Sequence, residues 1–194
     1  MPELPEVETT RRGIEPFLTD QSILAIDVRQ PRLRWPVDLP QNLAGSKVTN
    51  ITRRGKYILI TTHVGTLIIH LGMSGSLRVV SPKTPPKLHD HIDIKLSGDH
   101  WLRFNDPRRF GSFHFQSGDA HDHWLLKNLG VEPLENEFNY NYFKEYTKGK
   151  SRTIKDILMD QRFVSGVGNI YANEILFSSK IKPFRKVNEL ESLE

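Results

Sequence analysis

The sequence predicts an α+β fold, an N-terminal helix plus antiparallel β-sandwich over residues 1–130 followed by a helical domain over residues 131–194. Three observations predict it. Leu4, Val7, Ile14 and Leu18 fall near a helical period. Between Ser22 and Gln116 the pattern changes to short alternating or β-branched runs punctuated by Gly and Pro, as in a sandwich or barrel. Beyond about Leu129 those runs stop and helical spacing takes over. A chain of 194 residues has room for one or two compact domains.

Taken in order, Glu3 to Leu18 carries acids early and Arg11 and Arg12 later, as a helix dipole favours. The runs SILAIDVRQ, KVTNITRR, KYILITTH, TLIIHL, SLRVV, HIDIKLS, WLRFND and SFHFQ then read as strands. Ser81 to Leu88 (SPKTPPKL), with three prolines and two lysines, reads as a loop among them. GVEPLENEFN reads as a linker between the two regimes. Residues 140–149, 153–161, 169–178 and the last few residues fit helices, and a turn containing Gly166 and Gly168 leads into the helix that begins near Asn169.

Composition narrows the function classes. No run approaches the roughly eighteen apolar residues of a membrane span, and MPELPEVETT has neither the basic nor the apolar region of a signal peptide, so a soluble, cytoplasmic protein is expected. The absence of cysteine removes a disulfide framework, a thiolate nucleophile and a Cys-based zinc site from these residues. The net charge is only +4, yet Lys47 to Arg109 holds 11 basic against 4 acidic residues and Tyr142 to Lys186 holds 10 against 4. Two basic blocks suit an anionic partner.

Pro2 is the first candidate for chemistry, because an initiator Met before a small residue is ordinarily removed, leaving a secondary amine that can attack an aldehydic or glycosidic carbon. Glu3 and Glu6 stand within one helical turn of it and can supply acid-base chemistry. On spacing alone, Pro2 at the first position of a helix with acids complementing the dipole is the ordinary arrangement. Lys56, beside Arg53 and Arg54, reads by itself as a solvated lysine at a strand edge. GMSGS lacks the second glycine of a hydrolase elbow, since position 76 is Ser76. Met73 in that Gly-rich hairpin is a flexible apolar side chain exposed at a turn, where a core position is awkward, and Arg108 and Phe110, at alternate positions of NDPRRFGS with Arg109 between, can project from one side of an extended loop. The alternative packs Phe110 into the sheet and leaves the arginines solvated. HDHID fits a phosphate contact or a satisfied surface histidine at His89 better than a metal pair, which would need a further clustered ligand. The turn before Asn169 lacks the third glycine of a dinucleotide fingerprint and follows no strand, so it reads as a helix N-terminus open to a phosphate.

MPELPEVETTRRGIEPFL, HLGMSGSLR, HDHID, DPRRFGSF and GVGNIYANEILF, in that order, resemble bacterial formamidopyrimidine-DNA glycosylase along essentially the whole chain. The resemblance implies a DNA glycosylase/AP lyase for oxidised purines such as 8-oxoguanine and formamidopyrimidines, acting on damaged or abasic double-stranded DNA as a monomer, with no membrane partner. It implies that Pro2 attacks C1′ and forms a Schiff base, that Glu3 gives a proton to the sugar, and that β- and δ-elimination cut the strand. Lys56 is implied as a phosphate contact and proton donor in β-elimination, and Met73, Arg108 and Phe110 as fillers of the gap left by the extruded base. Arg109 and Glu6 belong with that DNA-facing set. His89, Lys150, Lys155 and Asn169 are implied as further DNA contacts, Asn169 within a helix-two-turn-helix.

The family ordinarily continues into a C-terminal four-cysteine zinc finger, so the sequence reads as an amino-terminal portion with no cofactor of its own. Two rivals stand beside this reading: a non-catalytic damaged-DNA binder, which retention of Pro2, Glu3 and Lys56 opposes, and the oxidised-pyrimidine preference of endonuclease VIII, which Leu4 opposes.

Overall fold

Helix α1 (Leu4–Leu18) starts one residue after Glu3, which is its extended N-cap. The Glu6 carboxylate accepts from the Glu3 backbone N–H at 2.9 Å, one arm of a capping box. Pro5 occupies the first turn, where a missing N–H costs nothing. Pro2 therefore lies before the cap and not at the first helical position. Val7, Ile14 and Leu18 form the buried stripe.

A computed structural model describes residues 1–190, in two units, Met1–Leu126 and Lys127–Glu194. In the first unit every run read as a strand is one: β1 (Ile23–Val28), β2 (Val48–Arg54), β3 (Tyr57–Thr62), β4 (Gly65–His70), β5 (Ser76–Val80), β6 (Asp90–Leu96), β7 (Trp101–Asn105) and β8 (Ser112–Gln116). They form two antiparallel sheets of four, in the orders β1-β6-β7-β5 and β2-β3-β4-β8. Ile58, Ile60, Leu67 and Ile69 of the second sheet and Ile92, Ile94, Leu102 and Phe104 of the first share one core with the α1 stripe. The segment read as a loop, SPKTPPKL, is one, and Arg103 ties it down by donating to the carbonyls of Thr84 and Pro85 at 3.0 Å each while its guanidinium pairs with buried Asp93.

The second unit is helical: α2 (Tyr140–Thr147), α3 (Ile154–Leu158) and α4 (Asn169–Ser178), around Ile157, Phe163, Val164 and Ala172. Two helices stop short of their sequence ranges. Gly149, at φ 71°, turns the chain after α2, and after α3 the Asp160 carbonyl captures the N–H groups of Phe163 and Val164. GVEPLENEFN is not a free linker: Val131 bridges Val164, and Phe138 packs edge-on to Phe163 with centroids 5.7 Å apart. Its Val and Phe supply apolar surface that a solvated linker would leave exposed. The final-residue helix expected from the sequence lies partly outside the described residues; Val187–Glu189 is a single 3-10 turn. Among the described residues no helix is long and apolar enough to cross a membrane.

Candidate functional site

Position at the chain's start is fixed by Glu8. Its carboxylate accepts from Arg11, Arg12 and Arg53, which pins α1 to β2, and those guanidinium groups hold its pKa down at about 2 against the cost of partial burial. The β2–β3 hairpin closes with Arg54 opposite Tyr57, leaving Gly55 (φ 54°) and Lys56 as its two turn residues. Lys56 is nonetheless only 7% exposed. It is not a solvated edge lysine. Burial pushes its ammonium pKa down while the negative charge of Glu3 pulls the other way, so the two groups sense each other across the α1 cap and the hairpin. Glu3 is 1% exposed. A buried carboxylate and a desolvated amine thus stand together at the N-terminus, with Pro2 half-buried beside them and Met1 exposed. Glu6 is exposed, and its carboxylate is engaged by the cap.

A cleft of about 640 Å³ opens beside this pair, lined by Met1, Met73, Phe110, His70 and the guanidinium-bearing Arg32, Arg34, Arg108 and Arg109. Met73 and Phe110 are 41% and 42% exposed, so Phe110 is not a sheet-packing residue. Arg108 stacks its guanidinium 5.1 Å from the Phe110 ring centroid, placing both on one side of the turn as the alternation requires. The cleft therefore joins apolar tips to cations, a combination that can hold phosphate at its rim and fill a vacated base site. His89 lies outside the cleft lining, at φ 71° in the turn before β6, with its ring 6.1 Å from that of His91. His91 is engaged by the Asp106 carbonyl, 2.9 Å from its Nε2.

Sequence reasoning missed Arg32, Arg34 and His70. Arg34 lies 4.4 Å over the Trp35 ring, and its backbone N–H donates to the Gly111 carbonyl at 3.2 Å. The PRLRWP segment reads as an ordinary loop until it is seen beside the DPRRFG turn. His70 ends β4 opposite Tyr57, and its Nδ1 accepts from the Gly72 N–H at 3.0 Å. Burial first, then the charges of Lys56 and Arg34, hold its pKa down at about 4, so the ring is neutral with its proton on Nε2. Between pH 6.5 and about 4 the unfolded chain binds the proton that the folded chain refuses, so stability is full above this window and falls as pH drops through it. The His70 contribution lost at pH 5 is about 2 kcal/mol. Urea unfolding at pH 7 and pH 5 is expected to show a loss to which His114, also held down to about 4 chiefly by burial, adds its share, and the loss should be smaller in His70→Gln by about the His70 contribution; an identical loss in both would move its origin elsewhere.

In the second unit, Lys150 follows Gly149 and donates through Nζ to the Tyr146 carbonyl, with its ammonium 3.5 Å from the Tyr146 ring centroid. Lys155 is a half-buried residue of α3. Asn169 is the exposed first residue of α4, after a buried turn whose N-cap, Gly168, brings no side-chain cap. Gln161 staples that turn by accepting from Gly166 N–H at 2.9 Å and donating to the Val167 carbonyl at 2.7 Å. Among the described residues no three His, Asp or Glu side chains are grouped as a metal site requires, and with no cysteine in the sequence no residues here fit the zinc that the resemblance implies.

Residues 1–113 match the family described as Formamidopyrimidine-DNA glycosylase N-terminal domain, and residues 129–194 match the Formamidopyrimidine-DNA glycosylase H2TH domain. Proteins named formamidopyrimidine-DNA glycosylase from Cellvibrio japonicus and Hahella chejuensis are 50% and 51% identical over 192 residues, covering 98% of this chain and 71% of each relative. The structure of a Lactococcus lactis Fpg in complex with abasic-site DNA superposes with a TM-score of 0.91 at 35% identity, over 98% of this chain and 72% of that one. A complex of an inhibited LlFpg with DNA containing N7-benzyl-Fapy-dG gives the same score and identity over 99% and 73%. With both family regions matched in order and half the residues identical across nearly its entire length, the chain belongs to the formamidopyrimidine-DNA glycosylase family.

Proposed function

We propose that this enzyme is a base-excision-repair DNA glycosylase and AP lyase that removes oxidised purines, 8-oxoguanine and formamidopyrimidines, from double-stranded DNA in the bacterial cytoplasm. The observation that carries this reading is the buried pair of Glu3 and Lys56 beside Pro2, at the edge of a cleft rimmed by arginines and tipped by Met73 and Phe110. Once Met1 is removed, the Pro2 nitrogen bonds to C1′ while the glycosidic bond breaks and the base departs. Glu3 gives the proton that opens the sugar, and the ring-opened adduct is an iminium. Loss of the 3′ and then the 5′ phosphate by β,δ-elimination cuts the strand, with Lys56 serving the phosphate side. Met73, Arg108 and Phe110 fill the space of the extruded base, which offsets part of an unstacking cost of a few kcal/mol. His89, Arg109, Lys150, Lys155 and the N-terminal turn of α4 at Asn169 contact the backbone.

Duplexes carrying 8-oxoguanine, a formamidopyrimidine, an oxidised pyrimidine or an abasic site test the reading. Expected are release of the first two bases, little release of the third, and strand ends that both carry phosphate. Binding without base release would leave a damaged-DNA binder, and preference for the pyrimidine would move the chain to the endonuclease VIII specificity. Binding should also weaken steeply with salt, and Lys150→Ala should lower the log–log slope by about one. Met73→Ala and Phe110→Ala should leave that slope alone and slow extrusion, followed by a fluorescent base analogue. Unchanged extrusion in both would return these two side chains to ordinary packing.

A further inference from the structure

The two turns that carry the exposed apolar tips of the cleft meet at one buried carboxylate. Asp106, the residue after β7, is fully buried. Its Oδ1 accepts from the hydroxyl of Ser74, the neighbour of Met73, at 2.7 Å and from the Arg108 N–H at 3.3 Å. Its Oδ2 accepts from the N–H of Gly111, the neighbour of Phe110, at 2.7 Å. The Asp106 carbonyl takes the Arg109 N–H at 3.2 Å, and its own N–H donates to the His89 carbonyl at 3.0 Å. Ser74 Oγ also accepts from the Arg108 N–H at 3.3 Å, closing a ring of bonds between the turns.

The backbones touch as well. A Cβ built on Gly72, which sits at φ 66°, would come within 2.4 Å of Gly111 N and Phe110 C, so the Met73 turn and the Phe110 turn lie against each other with no side chain between them. Three donors converge on the two oxygens of Asp106, and only a carboxylate accepts at both. An amide would have to point its NH2 at one of them.

We propose that Asp106 is a positioning residue that locks the Met73 turn and the Arg108–Phe110 turn into one rigid insert, with His89 joined to the same anchor, so that the filling side chains enter DNA together. This deepens the function proposed above and rests on it. In a single insert, loss of either tip spoils the common step, and loss of the second adds little. In two independent turns the losses multiply.

The test is a double-mutant cycle of Met73→Ala and Phe110→Ala, read as extrusion rate on a duplex with a fluorescent base analogue beside 8-oxoguanine, in three backgrounds: unaltered, Ser74→Ala and Asp106→Asn. In the unaltered protein the double variant is expected to be about as slow as the slower single one. In Ser74→Ala, which removes both the Met73 arm to Asp106 and the bond from the Arg108 N–H to Ser74 Oγ, the two effects should become multiplicative to within about twofold. Asp106→Asn should slow extrusion about tenfold by itself, with the salt slope of binding and the borohydride trapping of abasic DNA kept, readouts that a general loss of folding would not spare. Should Asp106→Asn fail to fold, the Ser74→Ala cycle decides alone. Multiplicative losses in the unaltered protein, or coupling that survives in Ser74→Ala, would overturn the proposal. An unaltered protein that neither extrudes nor releases 8-oxoguanine would remove the function itself and this inference with it.

Discussion

Borohydride added to the protein on abasic-site DNA is expected to give a covalent adduct, with Met1 missing from the intact mass and the DNA attached at Pro2. The open aldehyde of an abasic site needs no base extrusion, so this reaction isolates the nucleophile from the rest of the cycle. A secondary amine and an aldehyde give an iminium, and hydride reduction fixes it. Two amines compete for the role. Lys56 is buried and its pKa is pushed down by that burial, so part of its population is neutral at a pH where an ordinary lysine is charged. An α-amino group titrates near 8 on average, so a share of it is neutral near neutral pH as well. Exposure separates the candidates: Pro2 is half-buried and directly follows Met1, which lines the cleft, whereas Lys56 is only 7% exposed and outside the lining. Pro2→Leu, whose bulk would retain Met1, is therefore expected to lose the adduct to background, and Lys56→Ala to keep it. An adduct on Lys56 with a free Pro2 terminus would reverse the assignment.

How much of this was legible in the sequence differs by element, for physical reasons. The eight strands were, because alternation and β-branched runs are local properties bounded by Gly and Pro, and both sheets use those runs with small register shifts only. Helix ends were less so. The end of α3 is set by Asp160, whose carboxylate pairs with Arg152 and Arg162 and whose carbonyl collects the next turn, a tertiary arrangement that spacing does not report. The burial of Lys56 was opaque for the same reason: RRGKY looks solvated until the hairpin tip is laid against the α1 cap. Met73, Arg108 and Phe110 were legible as a set because a large apolar side chain in a tight Gly-rich hairpin is awkward to bury and alternation puts positions 108 and 110 together. Arg34 and His70 were not, since each acquires its place only when β4 and the PRLRWP segment meet the DPRRFG turn. Asp106 was not legible either, since its partners lie up to 32 residues away in sequence.

Glu3→Gln is expected to separate the two halves of the reaction. Glutamine keeps the size of the side chain and an acceptor oxygen for the capping box, so α1 and the fold should persist, with a cost of a few tenths of a kcal/mol up to about 1 kcal/mol at the cap. What it removes is an ionisable proton donor. In the proposed mechanism the glycosidic bond of an intact oxidised purine breaks with that proton, and general acid catalysis is worth about 10²- to 10⁴-fold, so 8-oxoguanine release should fall by that order. Cleavage at a preformed abasic site starts from an open aldehyde and should fall by no more than about tenfold. A second readout tests the coupling to Lys56. The negative charge of Glu3 supports the ammonium form of Lys56, and its loss leaves burial unopposed, so the Lys56 pKa moves further down. If protonated Lys56 serves β-elimination, the alkaline limb of the abasic-cleavage profile shifts to lower pH in Glu3→Gln, and that limb disappears in Lys56→Ala. Equal losses in both assays with an unmoved alkaline limb would make Glu3 a helix cap and nothing more.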